Sequence, residues 1–291
     1  MRQRGTAVIM AMLVVAAAAT LVSGALWQQN ALMRETENEL AYAQARWLIR
    51  GAIDWAGVIL LEDARTSSVD HRGEPWAVPL ADTRLNESDG RQPAYLAGGI
   101  DDEQGKFNLR NLAAGTALND SEMNTLRRLL GALRIDDSFA DRIAERTLDA
   151  VRASGKQPAP GLAFVDELLQ VGMGADALER LRPFVTVLPE PTLLNLNTAP
   201  AELIAARAEL EVVEARRIIS ARDRAPFKDL ADALQRLRQS NPGVTDQGLA
   251  VTTRYFSIDG IVTYGAARLT ARALVRREAN KLEILWVKEL G

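Results

Sequence analysis

Side chains suited to chemistry are scarce in this sequence. Histidine occurs once, at His71, and cysteine not at all. A His-Glu-x-x-His zinc helix, a two-histidine proton relay, thiolate metal sites, disulfides and cysteine nucleophiles are excluded together. His71 lies between Asp70 and Arg72 in residues 66–93, a stretch rich in Ser, Asp, Asn, Gly and Pro. That composition reads as a loop, with His71 a solvated surface residue. Acid pairs occur at Asp136-Asp137 and Asp166-Glu167. Adjacent residues on a helix point in different directions and cannot flank one substrate by themselves. These pairs serve helix ends and solvated faces. No serine stands in a nucleophile-elbow pattern. The residues point away from an enzyme, and no catalytic residue is assigned.

What remains is structure. Hydrophobic residues make up 47% of the 291 residues and charged ones 25%, enough for a packed core. With 35 basic and 38 acidic side chains the net charge is −3, which argues against binding nucleic acid through its phosphates. Met1–Gly5 is short and basic, and Thr6–Trp27 runs 22 residues without a charge. As a helix this segment spans roughly 33 Å, enough for a bilayer core. A cleaved secretory signal would have a shorter apolar core ending at a small-residue site, which Ala16–Ala19 or Ser23-Gly24-Ala25 could mimic. Arg2 and Arg4 precede the span, whereas Arg34 follows it among Glu35, Glu37 and Glu39. The asymmetry places the N-terminus inside.

The helical pattern continues beyond the membrane. Ala41, Ala45, Leu48, Ala52, Trp55 and Ile59 form an amphipathic stripe, with no proline between Thr6 and Arg65. One helix of about 60 residues, roughly 90 Å long, is predicted. Tyr95–Asp101 and Lys106–Leu109 read as strands around the turn Asp102-Glu103-Gln104-Gly105. Helices follow at Leu118–Leu133, Phe139–Val151, Phe164–Val171, Ala175–Leu181, Val213–Ala221 and Leu230–Leu237, with another opening near Asn197. Asn119, Ser121 and Thr198 are candidate N-caps, and Pro200 and Glu202 suit a first turn. Leu249–Val262, Ala266–Arg276 and Lys281–Lys288 read as a meander turning at Tyr264-Gly265 and Ala279-Asn280. Phe107–Asn111 echoes Leu194–Thr198, and Phe164–Leu169 echoes Phe227–Ala231. Chance or two small similar lobes would each explain the echoes.

A basic leader ending at Gly5, followed by an uninterrupted apolar helix, resembles the type IV pilins and the pseudopilins of type II secretion. Four further segments carry a closer likeness: Ile100–Leu109, Pro183–Pro189, Leu194–Glu202 and Leu249–Phe256. In this order they resemble the protein K family of the general secretion pathway, the large minor pseudopilins of type II secretion systems. The resemblance implies an α+β, pilin-like fold. A long N-terminal transmembrane helix packs on an antiparallel sheet, and a large all-α domain with two small helical lobes is inserted. It divides the chain into leader 1–5, membrane segment 6–27, periplasmic helix 28–66, first sheet part 67–112, helical insert 113–239 and C-terminal strands 240–291. Prepilin peptidase would cut between Gly5 and Thr6, with N-methylation of the new terminus. Most such subunits carry glutamate at the fifth mature position, where this chain has Met10. In the family that carboxylate neutralises a neighbour's terminal amine, so a subunit lacking it is suited to starting a filament; loss by drift is the plain alternative.

The same resemblance implies a single-pass inner-membrane protein with its bulk in the periplasm, at the tip of a pseudopilus that pushes folded proteins through an outer-membrane channel. Partners implied are the minor pseudopilins I, J and H, the major pseudopilin, prepilin peptidase and the inner-membrane secretion platform. Some relatives bind calcium in the helical domain. Here the corresponding stretch is Leu148-Asp149-Ala150-Val151-Arg152 followed by Lys156, one carboxylate beside two cations and a poor cage for an ion that takes six to eight oxygens. Asp101, Asp102 and Glu103 read as solvated turn charges, and no metal or other cofactor is expected. The rival reading is a membrane-anchored helix-hairpin-helix DNA receptor, suggested by Asn195–Thr198 with Pro226–Asp229. Its hairpin, Ala208–Glu214, has three glutamates and no glycine, and residues 195–238 hold eight basic and seven acidic side chains. That balance displaces few counterions.

Overall fold

Residue 3 begins a helix, α1 (Gln3–Thr66), that runs unbroken for 64 residues, about 96 Å at the helical rise. The computed structural model describes residues 3–86, 92–152 and 162–290. With no proline to remove a backbone donor, α1 has no kinking residue stronger than glycine. Gly57 has a use: a Cβ there would stand 3.0 Å from Leu282 Cδ2, so its bare backbone admits the last strand of the sheet.

Five strands form one antiparallel sheet, β1 (Leu80–Arg84), β2 (Ala94–Asp102), β3 (Tyr255–Tyr264), β4 (Ala267–Arg277) and β5 (Leu282–Leu290), in that spatial order. β3 joins the two halves, pairing Gly98 with Gly260 on one side and Ala273 with Ile258 on the other. The outer part of α1 lies across one face. Ala45, Ile49, Ile53, Ala56 and Leu60 bury themselves there against Leu96, Phe256, Ile258, Val262, Leu269, Ala271 and Val275.

Ala41 and Ala45 are buried as expected, but beyond them the buried stripe is offset by one residue from the expected one. Leu48, Ala52 and Ile59 flank it half-buried, and Trp55 is 55% exposed. Apolar residues occur on more than one side of α1, so a 3.6-residue period fits several faces, and only the sheet selects among them.

Helices α2 (Asp120–Ala132), α3 (Ser138–Arg152), α4 (Ala175–Leu181), α5 (Ala201–Ala208), α6 (Val212–Arg222) and α7 (Leu230–Arg238) lie between β2 and β3 in the chain. One continuous core runs through them, from Phe107, Leu109 and Leu112 through Leu126, Leu168 and Phe227 to Leu249 and Val251. Val165–Val171 is a 3-10 helix rather than an α-helix. Asn119 caps α2 by accepting from Glu122 N at 3.4 Å, and Asp229 caps α7 by accepting from Asp232 N at 2.8 Å.

Several expected elements are corrected. β1 lies inside the expected 66–93 loop. It is short and largely exposed and lacks alternating hydrophobicity, so only its pairing with β2 defines it. The Lys106–Leu109 strand shrinks to Phe107-Asn108, which pairs in parallel with Val185-Thr186. Leu249–Val262 is broken: Leu249-Ala250 pairs in parallel with Leu194-Asn195, and β3 starts at Tyr255. The echo between 107–111 and 194–198 thus has a structural basis. Each copy is a two-residue parallel strand followed by an asparagine turn, with Asn108 Oδ1 accepting from Arg110 N and Asn195 Oδ1 from Asn197 N.

Candidate functional site

Two surfaces of α1 are left without cover. The first is its N-terminal part, where Val8, Met12, Val15, Leu21, Leu26 and Trp27 are all exposed. This is the one helix among the described residues long and apolar enough to cross a membrane. Gly5 and Thr6 lie within α1 near its start, and Met10 is 69% exposed on it. Among the described residues the most apolar 18-residue stretch of α1 is 0% buried. The second surface lies farther along, where Trp47 is 78% exposed and Trp55 and Val58 are exposed as well. Large aromatic side chains left in water in this way mark contact surfaces rather than chemistry.

A buried polar junction forms where α1 ends. Asp63 in its last turn, Asp70 and Glu74 in the following loop, and Arg277 at the end of β4 are all buried. Arg277 Nη1 donates to Asp63 Oδ2 at 3.0 Å and to Leu60 O at 3.3 Å. Its Nη2 donates to Asp70 Oδ1 and, at 3.0 Å, to Thr253 O. Thr253 N donates to Asp70 Oδ2 at 2.7 Å. Burial holds the carboxyls of Asp63 and Asp70 above the ordinary range, against the pull of Arg277.

The junction continues into the insert. Asn195 Nδ2 donates to Asp70 O at 3.0 Å and to Asp102 Oδ2 at 2.8 Å. Thr198 Oγ1 donates to the same Asp102 oxygen at 2.5 Å, and Gln104 N donates to Asp102 Oδ1 at 2.7 Å. Burial pushes the Asp102 carboxyl up to about 6, partly offset by these donors. The adjacent Glu103 shows the opposite balance. Burial raises it, but Lys106 Nζ at 2.6 Å and the Thr186 hydroxyl at 2.6 Å outweigh burial and leave it below its ordinary value.

Three expectations fail here. Asp102 and Glu103 are not solvated turn charges: both are buried beneath the insert, whereas Asp101 is exposed. Thr198 is not the cap of α5. Pro200 occupies that position without a side-chain bond, because the Thr198 hydroxyl is already committed to Asp102. His71 is half-buried rather than solvated, its Nδ1 accepting from Gly73 N at 3.0 Å. The sequence held no local signal for this junction, since its members are scattered from residue 63 to 277 and each reads singly as a surface charge.

For calcium in the helical domain, the described residues do not fit. Asp149 is exposed on α3, and residues 153–161, with Lys156, lie outside the described residues. The proposed DNA hairpin presents Glu209 and Glu211 to solvent with Glu214 half-exposed. Carboxylates in that position repel phosphate.

A spine helix bare and apolar over its first half and packed on an antiparallel sheet over its second defines a membrane-anchored subunit of the pilin class. Two family models, both described as type II secretion system protein K, match residues 105–190 and 194–252. Type II secretion system protein K of Pseudomonas aeruginosa is 29% identical, in an alignment spanning 99% of this chain and 93% of that protein. Its counterpart from Klebsiella pneumoniae is 28% identical, over 98% and 95%. A chain from the crystal structure of the GspK-GspI-GspJ complex of the enterotoxigenic Escherichia coli type 2 secretion system shares the fold. The TM-score is 0.66 over 88% of this chain and 99% of that one, at 22% identity. The chain belongs to the protein K family of type II secretion systems, and it is a minor pseudopilin.

Proposed function

We propose that this subunit caps or initiates the periplasmic pseudopilus, seated at its tip with the minor pseudopilins I and J, and with H and the major pseudopilin below. The observation that carries this reading is the division of α1. Its first half offers apolar side chains that need lipid or neighbouring helices to cover them. Its second half is already occupied by the protein's own sheet. Partner helices would therefore pack along the first half and around Trp47 and Trp55, while the insert overhangs the shaft. The GspK relative in the Escherichia coli structure is complexed with GspI and GspJ, which supports the same choice of partners here.

In this scheme residues 1–5 are a leader removed by prepilin peptidase between Gly5 and Thr6, and the amine of Thr6 is then methylated. Residues 6–27 cross the inner membrane with the N-terminus cytoplasmic, residues 28–66 are the periplasmic part of the helix, and residues 67–112 and 240–291 build the sheet. The insert, 113–239, adds bulk that a regularly packed shaft has no room for. The role is assembly, without catalysis, beside the inner-membrane secretion platform.

Co-expression with the I and J subunits in membranes, followed by detergent extraction and affinity purification, tests the reading. A stable complex of the three is expected. Recovery of this chain alone, or of mature protein whose first residue lies beyond Trp27, contradicts it.

A further inference from the structure

Asp63, Asp70 and Glu74 each place one carboxylate oxygen within 4.8 Å of those of the other two, and all three side chains are buried. Arg277 is the guanidinium bound among them, reaching Asp63 and Asp70. Fully ionised, three carboxylates against one guanidinium would leave two negative charges uncompensated in a buried site. That imbalance costs several kcal/mol unless protons or a cation relieve it.

Hydrogen bonding shows where the relief is missing. Glu74 Oε2 accepts from His71 N at 2.8 Å and from Trp76 Nε1 at 2.8 Å. Glu74 Oε1 is buried and has no hydrogen-bond partner, in a residue only 6% exposed. Glu74 also faces both aspartates closely enough for its charge to push their carboxyls up. The nearest base, His71, has its Nδ1 accepting from Gly73 N and its Nε2 3.8 Å from Glu74 Oε1, too far for a hydrogen bond.

We propose that Asp63, Asp70 and Glu74 bind one hard divalent cation at the junction of α1, the loop that follows it, and β4. An all-oxygen set of carboxylates suits calcium or magnesium rather than softer metals, and a double positive charge cancels the residual charge. Glu74 Oε1 is the carboxylate oxygen that hydrogen bonding leaves free to bind the ion, and water would complete the coordination. The site lies where the sheet body meets the insert, on other residues than Asp149 of the helical domain. Asp70 also holds Thr253 N through its side chain and Asn195 through its carbonyl. An ion here would therefore fix the insert relative to the helix spine.

Trp76, bonded to Glu74, is a built-in reporter. The full-length protein in detergent micelles is stripped with chelator and titrated with terbium under tryptophan excitation, and its melting temperature is measured with and without calcium. Expected are sensitised terbium emission displaced by calcium, and a calcium-dependent rise in melting temperature. Glu74→Gln, which keeps an oxygen for the His71 and Trp76 donors, should weaken both responses at least about tenfold in ion concentration. Asp63→Asn is the second variant, with circular dichroism confirming that each folds. Trp76→Phe should lose the emission and keep the calcium shift. No emission and no calcium shift in the parent protein would overturn the proposal. So would responses that survive undiminished in both acid variants, which would place the ion elsewhere.

Discussion

Thr198 donates its hydroxyl to Asp102 across 2.5 Å, and this bond ties the loop before α5 to the end of β2. Gly105 makes room for it, since a Cβ at that position would stand 2.6 Å from Thr198 Oγ1. Thr198→Ala leaves a buried acceptor short of one donor. The expected cost is about 1–3 kcal/mol, read as a lower midpoint in chemical denaturation. Gly105→Ala should destabilise through the same contact by steric overlap.

Asp102 gives the fold a pH dependence of definite sign. Its carboxyl titrates near 6 in the folded protein and near 3.8 in the unfolded chain. Between those values the folded state holds more protons, so this group's contribution falls as pH rises from about 4 to 6. The whole effect is on the order of 3 kcal/mol. Glu103, held below its ordinary value, works the other way: its contribution is lost as pH falls through its folded pKa. Denaturation midpoints for parent and Asp102→Asn between pH 4 and 7 should therefore diverge in slope, the parent losing stability relative to the variant as pH rises. Parallel curves would contradict the assignment.

Arg277 is the next test. It serves two carboxylates and two carbonyls within the fold. Arg277→Ala strands Asp63 and Asp70 in a buried site, at an expected cost of about 3–5 kcal/mol. Arg277→Lys keeps the charge but not the four-way geometry and should recover only part of the stability. Thermal unfolding of the detergent-solubilised protein separates the two.

Trp47 and Trp55 should separate stability from assembly. Both are exposed on α1, so Trp47→Ser and Trp55→Ser should shift stability by no more than about 0.5 kcal/mol. If partner subunits cover them, the double variant should lose co-purification with the I and J subunits while melting as the parent does. Unimpaired complex formation would remove this surface from the proposed interface.

Met10 offers a gain-of-function test. Met10→Glu restores the carboxylate usual in the shaft subunits that the chain resembles. The expected result is incorporation of the overproduced variant along the pseudopilus, scored by immunogold labelling, against tip-restricted labelling of the parent.

Much of the architecture was written in local sequence. The length of α1 follows from 60 residues without proline, and the meander from the Val, Ile, Thr and Tyr runs between Tyr255 and Leu290. The covered face of α1 was not legible, because Ile49 and Trp55 are equally apolar and only the sheet distinguishes them. β1 was hidden because an edge strand with exposed side chains has no core pattern to show. The junction at Asp63, Asp70, Asp102 and Arg277 was missed for a different reason. Burial of a charge is a property of its partners, and here they come from four distant parts of the chain. Gly5, Thr6 and Met10 stand out only by likeness to pilin leaders.

The sheet is interrupted in a way that sets the order of its making. β2 ends at Asp102, and its neighbour β3 begins at Tyr255, about 150 residues later. A ribosome completes every helix of the insert before it supplies the strand that β2 requires. The half-built ribbon must wait, its apolar face on α1 lacking β3 to β5. The strands of Tyr255–Leu290 therefore close the apolar face on α1 only after the whole insert has been made.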